Sequence, residues 1–213
     1  MSYDNKIEGV PSKRHGRAED YVTPPFLVAG VGASTGGLEA VSRLIVDLPR
    51  SARLSLVLAQ HMSPRYPSLL PDILARRTAL QVRFAVDEQK VEVSHLYVIP
   101  PDKHMTVIDG HLRLTPRPEG AWAHLVDALF CSIAEYYRHK GVGIILSGAL
   151  SDGSLGCHAI RGVGGITFAQ SPAQAQIGSM PRAAIAAGVR QVLPAEEIGA
   201  ELMRLAESPR FKL

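Results

Sequence analysis

The chain has 213 residues, of which 46% are hydrophobic and 20% are charged, and this is the composition of an ordinary globular protein. Its length favours one large domain that needs no disulfide or metal, and no apolar run approaches the ~20 residues that a membrane span requires. The formal net charge is +3, but the basic residues are scattered and lack interleaved aromatic residues, which argues against a nucleic-acid-binding protein.

The first 24 residues are polar, mixed in charge and without periodicity, so they predict a flexible leader before a domain that spans residues 25–213. The apolar run Phe26–Val31 then predicts a buried parallel strand. Similar short runs predict further strands at Leu54–Ala59, Leu96–Ile99, Val142–Leu146, Ile166–Ala169 and Gln191–Leu193.

Helical periodicity fills most of the intervals between these strands, at Leu38–Asp47, Ser68–Arg77, Leu125–Arg138, Leu155–Arg161, Arg182–Ala187 and Ala195–Ala206. This alternation predicts an α/β protein with an open, mostly parallel sheet that is covered by helices on both faces. Two alternating runs, Met105–Asp109 and His111–Thr115, flank an Asp-Gly turn signal at Gly110. They predict one antiparallel β-hairpin.

Three polar residues follow predicted strands directly. Ser34 lies in the glycine-rich segment 30–37 (GVGASTGG) after the first strand, and His61 follows the second. Asp152 lies in the segment 147–153 (SGALSDG), after the strand Val142–Leu146. Because ligands bind at the carboxyl ends of the strands in such sheets, the three side chains are expected at one edge, where they would form a candidate site.

The glycine-rich segment has three interpretations. A dinucleotide loop is one, but the spacing is Gly-x-Gly-x-x-x-Gly, and the second strand ends in Gln60 and His61 where an acidic residue is needed. The α/β-hydrolase nucleophile elbow is another, since residues 32–36 satisfy Gly-x-Ser-x-Gly, but the order of Ser34, His61 and Asp152 does not fit that fold. The third is a serine nucleophile on a strand-to-helix turn with the triad order Ser, His, Asp, since triads are defined by geometry.

Each of the three residues also has a structural interpretation when it is taken alone. Ser34 is of a type that caps helices, and His61 is compatible with a loop histidine bonded to the backbone. Asp152, which precedes a glycine, is typical of a turn or a helix cap. Their common placement at strand ends favours the catalytic interpretation.

Several motifs in a fixed order resemble one known family. They are GASTGG at 32–37, QHM at 60–62, VIPPDKHM at 98–105, LSGALSDG at 146–153, GGITFAQ at 164–170 and SMPRAA at 179–184. From about Phe26 to Ile198 the chain resembles the catalytic domain of CheB, the protein-glutamate methylesterase family. The resemblance implies a doubly wound parallel sheet with an antiparallel hairpin. It also implies a cytoplasmic esterase that removes methyl groups from chemoreceptor glutamates and frequently deamidates receptor glutamines.

The resemblance also implies roles for individual residues. Ser34 corresponds to the nucleophile, His61 to the general base and Asp152 to the residue that orients the histidine. Further candidates are the backbone amides near Thr35 and Ala149 for an oxyanion hole. Separately from the resemblance, Met180 is expected at the border of the substrate site, because it follows the strand-end loop 171–179. No cofactor and no metal are expected. The expected partner is the cytoplasmic domain of a methyl-accepting chemoreceptor, with no nucleic acid and no insertion into a membrane.

Two departures from the family pattern affect these expectations. The family usually has Gly-Met-Gly where this chain has Gly148, Ala149 and Leu150, so that Leu150 places a side chain at a usual glycine and is expected to alter the shape of the site. Only 25 residues precede Phe26, too few for the receiver domain that most members carry. Control by an attached receiver is therefore expected to be absent, or the chain is an isolated part of a larger protein, and a receiver protein that acts in trans is a further expected partner. A receptor-binding or scaffold protein without turnover is the non-enzymatic alternative.

Three further residues carry weaker expectations. His104 lies in a motif shared with the family and is expected to make a structural hydrogen bond or to shape the site. Cys131 and Cys157 lie in apolar helical patterns and are expected to be buried free thiols, which is typical of a reducing compartment such as the cytoplasm.

Overall fold

The computed structural model describes residues 26–63, 66–117 and 124–211, so the predicted leader 1–24 lies outside the described residues. Its strands, in chain order, are β1 Leu27–Ala33, β2 Leu54–Gln60, β3 Gln81–Phe84, β4 His95–Val98, β5 Lys103–Ile108, β6 His111–Pro116, β7 Gly141–Ile145, β8 Ile166–Gln170 and β9 Gln191–Leu193. Seven of them form a parallel sheet in the order β3-β4-β2-β1-β7-β8-β9, and β5 and β6 form the antiparallel hairpin. The predicted fold class is confirmed.

The helices cover both faces of this sheet. They are α1 Gly37–Ile45, α2 Leu70–Ala75, α3 Leu125–Tyr137, α4 Ser154–Gly162, α5 Ser179–Ala186 and α6 Ala195–Glu207, with short 3-10 turns at Arg138–Lys140 and Pro209–Phe211. One apolar cluster joins α1, α2 and α6 to the sheet, and a second joins α3, α4, α5 and the hairpin to the opposite face. Each central strand is buried between two layers, which explains why its sequence is a continuous apolar run.

The direction of the winding reverses between β1 and β7, which are neighbours in the sheet. From β1 the chain passes through α1 to β2 on one side, and from β7 it passes through α4 to β8 on the other side. The loops that follow β1 and β7 therefore diverge toward opposite faces and leave a crevice at the carboxyl ends of the strands. Such a switch point is where open α/β sheets bind ligands.

Three details differ from the sequence-based expectations. The edge strand β3 was not predicted, because its four residues alternate between exposed and partly buried positions and contain no apolar run. Helix α5 begins at Ser179, three residues earlier than expected, since Pro181 is tolerated in a first helical turn. Cys157 is buried as expected, but Cys131 is exposed on α3. Within the described ranges, every helix is too short or too polar to cross a membrane.

Candidate active site

Ser34 is the first residue after β1 and lies at the floor of the crevice. Its backbone N–H donates to the carbonyl of Ser147, which follows β7, at 3.0 Å, so this bond ties together the two loops of the switch point. The N-cap of α1 is Gly36, with a left-handed φ of 78°, and no side chain caps this helix. Ser34 is therefore not a helix cap, and its hydroxyl group is not used to stabilise α1.

Gly148 allows the loop after β7 to approach Ser34 closely. A Cβ atom at position 148 would lie 2.9 Å from the Cβ of Ser34 and 2.1 Å from the sulfur of Met180. Both distances are shorter than real Cβ contacts, so a side chain at this position would displace the serine or the loop. The glycine in the LSG motif is thus a steric requirement of the site.

His61 follows β2, the strand that pairs with β1. Its N–H donates to the carbonyl of Ala33 at 3.2 Å, which places its backbone beside the residue that precedes Ser34. Its ring Nε2 lies 2.8 Å from Oδ2 of Asp152, and the two side chains are only 9% and 4% exposed. The structure thus brings His61 and Asp152, 91 residues apart in the sequence, into direct hydrogen-bonding contact.

Asp152 is bound at the N-terminus of α3. Its Oδ1 accepts the N–H of Asp127 at 3.0 Å, and its Oδ2 accepts the N–H of Val126 at 3.1 Å in addition to the His61 contact. Burial opposes ionisation, but the hydrogen bonds from His61 and from these two amides outweigh it, so the pKa of Asp152 lies below its ordinary value. The carboxylate is therefore held ionised at the positive end of a helix dipole.

The ionised Asp152 defines which ring nitrogen of His61 carries a hydrogen. A carboxylate only accepts hydrogen bonds, so Nε2 of His61 donates to it and Nδ1 is left as the acceptor in the neutral ring. Within the described chain, no hydrogen bond joins the hydroxyl of Ser34 to His61. Among the described residues, Nδ1 of His61 likewise has no hydrogen-bond partner.

Two amides beside Ser34 are free donors. In the part of the chain that the structure describes, neither the N–H of Thr35 nor that of Ala149 donates a hydrogen bond to protein atoms. Thr35 is exposed and Ala149 partly buried, and the Thr35 carbonyl is held by the hydroxyl of Ser147 at 2.8 Å. Met180 is different: it has no exposed surface, and its N–H donates to the carbonyl of Gly148 at 2.9 Å. It supports the loop at Gly148, and its place at the border of a substrate site stays a prediction.

Leu150 adopts a backbone conformation that favours glycine. Its φ is 65°, in the left-handed region, and 71% of the residue is exposed. The leucine therefore retains the backbone shape that the usual glycine of this motif permits, and its side chain extends into solvent.

The sequence did not reveal a second carboxylate behind the candidate triad. Asp127, in the first turn of α3, accepts the N–H of Gly156 on α4 at 2.9 Å and lies 3.3 Å from Nδ1 of His124. Among the described residues, His124, Asp127 and Asp152 offer potential metal ligands within 4.8 Å of one another. Every oxygen of the two carboxylates already accepts a hydrogen bond, so we assign them a structural role, and the absence of a metal stays a prediction.

His104 lies on β5, and its Nε2 is buried without a hydrogen-bond partner in the described chain. Burial, and after it the positive charge of Arg117, lowers the pKa of His104. The imidazole is therefore kept neutral, and the structural hydrogen bond expected for this residue is not made through Nε2.

Comparisons with known proteins identify one family. A sequence profile described as CheB methylesterase matches residues 29–202. A Myxococcus xanthus protein named protein-glutamate methylesterase/protein-glutamine glutaminase 1 is 36% identical over 210 residues, which are 94% of this chain and 61% of the relative. An Escherichia coli relative with that enzyme name is 33% identical over 185 residues, covering 81% of this chain and 51% of its own length.

The fold is likewise that of a solved relative. The crystal structure of the Thermotoga maritima CheB methylesterase catalytic domain superposes with a TM-score of 0.79 at 28% identity, covering 84% of this chain and 98% of that domain. The chain spans about half to three-fifths of the length of the two full-length relatives above, in agreement with a match to a catalytic domain. On the profile, the sequence identity and the shared fold, the chain belongs to the CheB methylesterase family.

Proposed function

We propose that this chain is a cytoplasmic serine esterase that hydrolyses glutamyl methyl esters on the cytoplasmic domains of bacterial chemoreceptors. The observation that supports it most directly is the 2.8 Å contact between His61 and an ionised Asp152, beside Ser34 at the switch point of the sheet. The names of the relatives supply the substrate class, a glutamate side chain of a protein. In this proposal Ser34, His61 and Asp152 form the catalytic triad.

In the first half of the proposed reaction, Oγ of Ser34 attacks the ester carbonyl carbon while Nδ1 of His61 takes the hydroxyl proton. The amides of Thr35 and Ala149 donate hydrogen bonds to the oxygen that becomes negative. The bond to the methoxy group then breaks, and His61 returns the proton to it, so methanol leaves. Asp152 stays ionised throughout and stabilises the transient imidazolium.

In the second half, a water molecule loses a proton to His61 and attacks the acyl-enzyme. The bond to Ser34 breaks, the serine recovers its proton from His61, and the product is a free glutamate carboxylate. A glutamine side chain would follow the same steps with ammonia as the leaving group, which is the second activity in the names of the relatives. The steps use only water and the residues of this chain.

The proposal includes the partners expected from the family resemblance. They are the methylated receptor as the substrate and a separate receiver protein as a regulator in trans. Nucleic acid and membrane insertion have no part in it. The 213-residue chain is proposed to act without a phosphoryl donor, so the assays below contain none.

Labelling with a fluorophosphonate probe, which reacts with activated serines, tests the assignment of Ser34. We expect the wild type to be labelled and Ser34→Ala to be unlabelled, with methanol release from an esterified receptor fragment reduced by several orders of magnitude. Ser151→Ala is the matched control, because Ser151 is an exposed serine in the loop just before Asp152, and it should label and turn over normally.

Retention of labelling or turnover by Ser34→Ala would contradict the assignment. Circular dichroism and the urea midpoint of the variant should equal those of the wild type, since Ser34 caps no helix and makes no side-chain hydrogen bond among the described residues. A wild type that is folded, binds the receptor fragment and neither labels nor turns over would favour the non-enzymatic alternative.

A further inference from the structure

Three exposed leucines lie on the elements that follow β1 and β7, at the end of the sheet where Ser34 lies. Leu38 lies in the first turn of α1 and Leu155 in the first turn of α4, and they are 38% and 57% exposed. Leu150, 71% exposed, lies in the loop between β7 and α4. Since β1 and β7 are adjacent parallel strands, the elements that follow them begin at the same edge of the sheet. We call these three residues the leucine rim.

Leu150 shows that this rim is not explained by the needs of the fold. Its left-handed φ of 65° disfavours every side chain with a Cβ, and a glycine or an asparagine would be accommodated more easily. With most of its surface in solvent, the leucine gains little burial that would compensate for the strained backbone. Large exposed apolar patches at a crevice mark interaction surfaces, and the described residues leave most of Leu150 uncovered.

The position of the rim identifies what covers it. Helices α1 and α4 pack on opposite faces of the sheet, so Leu38 and Leu155 stand on the two sides of the crevice. A glutamyl side chain is short, so a protein whose ester reaches Ser34 must bring its own main chain down onto this edge. Whatever lies next to the esterified glutamate in the substrate then covers the rim.

We propose that the leucine rim binds apolar side chains that flank the esterified glutamate of a protein substrate. The inference rests on the proposed function and adds a specificity determinant: the enzyme prefers a glutamyl ester with apolar neighbours to an isolated ester. Leu150 and Leu155 supply the contact on the α4 side, and Leu38 supplies it on the α1 side.

Two substitutions remove the apolar surface without altering the backbone. Leu150→Asn is suited to the left-handed conformation, and Leu155→Gln keeps a residue with high helix propensity. Val46→Gln is the matched control, because Val46 is 53% exposed but lies at the opposite end of α1, away from the crevice. The double variant Leu150→Asn/Leu155→Gln and the control are compared with the wild type on an esterified receptor fragment and on p-nitrophenyl acetate.

We expect the double variant to raise KM for the receptor fragment by about tenfold, as the loss of two buried apolar contacts predicts, with kcat unchanged. Hydrolysis of p-nitrophenyl acetate, which has no flanking side chains, should equal that of the wild type. An unchanged KM for the receptor fragment would overturn the proposal. Equal losses on both substrates would also overturn it, since the leucines would then shape the catalytic centre itself.

The dissociation constant of a fluorescent receptor fragment, measured by anisotropy, separates this proposal from the proposed function. A wild type that hydrolyses neither substrate contradicts the esterase assignment, and the docking proposal is then decided by binding alone. Binding that weakens by about tenfold in the double variant and is unchanged in Val46→Gln supports the leucine rim. Equal binding by all three proteins refutes it.

Discussion

At the scale of single residues, Asp152 shows how a buried carboxylate is kept ionised. Its side chain is only 4% exposed, and burial alone would raise the pKa of the carboxyl group. Three donors, the ring of His61 and the amides of Val126 and Asp127, reverse that tendency. The same contacts that orient the histidine therefore also stabilise the folded state, and the two effects can be measured separately.

Asp152→Asn is expected to lower the free energy of unfolding at pH 7 by about 1–3 kcal/mol, because a neutral amide cannot replace a carboxylate that accepts three hydrogen bonds. The pKa of Asp152 is lower in the folded chain than in the unfolded chain, so its stabilisation is complete above the unfolded value of about 3.9. It is lost as the pH falls through the folded value. Urea titrations from neutral to acidic pH should therefore show the difference between wild type and variant shrinking.

Asp47→Asn serves as the control for this titration, because Asp47 is exposed at the far end of α1. Its stability should follow that of the wild type at every pH. A difference between wild type and Asp152→Asn that stays constant from neutral to acidic pH would mean that the carboxylate is not ionised in the folded chain.

At the scale of elements, α3 and α4 cap each other. Asp152, from the loop before α4, accepts two amides of the first turn of α3, and Asp127, from that turn, accepts the Gly156 amide of α4. The two helices pack closely enough that a Cβ on Gly156 would lie 2.4 Å from the Cβ of Phe130. The loop that carries Asp152 and Ala149 is therefore held from both ends, by β7 and by this reciprocal capping.

Asp127→Ala is expected to destabilise the fold by about 1–3 kcal/mol, because it leaves the buried Gly156 amide without an acceptor. Methanol release should also fall, since the Asp152 loop loses one of its anchors. Asp127→Asn keeps an oxygen for that amide and should recover most of both losses. Cys131→Ala, an exposed position on the same helix, should change neither the urea midpoint nor the rate. Full activity of Asp127→Ala would show that the capping has no role in positioning Asp152.

The sequence predicts most of the strands and helices and which residues meet at the candidate site, and the exceptions have physical reasons. Apolar runs identify central strands because those strands are buried on both faces, and the residues after them then meet at one edge. This is why Ser34, His61 and Asp152 were predicted to converge. The role of Asp127 could not be predicted, because it depends on the contact between two helices rather than on local sequence. The left-handed backbone of Leu150 could not be predicted from its residue type either, because leucine rarely adopts this conformation.

At the scale of the whole molecule, the two ends of the parallel strands differ in what they contain. The carboxyl ends form the candidate site. At the amino ends, the final 3-10 turn packs against the turns that precede β7 and β8. Arg210 donates to the carbonyls of His139 and Gly164 in those turns, and Phe211 is fully buried in the cluster under α6. The site residues make none of these contacts, so stability and activity are separable here.

Phe211→Ala is expected to lower the free energy of unfolding by about 3–5 kcal/mol, as for other buried phenylalanines. Well below its unfolding temperature, the variant should keep the kcat/KM of the wild type, because the cavity lies at the amino ends of the strands, away from Ser34. Glu207→Ala, at an exposed position near the end of α6, should leave the stability unchanged. A loss of kcat/KM in a fully folded Phe211→Ala protein would show that the two ends of the strands are coupled.

The reversal of winding between β1 and β7 also determines when the site can exist during synthesis. Ser34 and His61 leave the ribosome early, and the strands β1 to β4 can then pair. The side of β1 that binds β7 keeps its backbone groups unpaired until β7 has been translated. An apolar edge of this kind is a target for chaperones and for aggregation in the nascent chain. The carboxylate of Asp152 arrives on the same segment that closes this edge. The half-made chain therefore holds Ser34 and His61 without the aspartate of the proposed triad, and on the proposed function the appearance of esterase activity would mark the moment at which the sheet is closed.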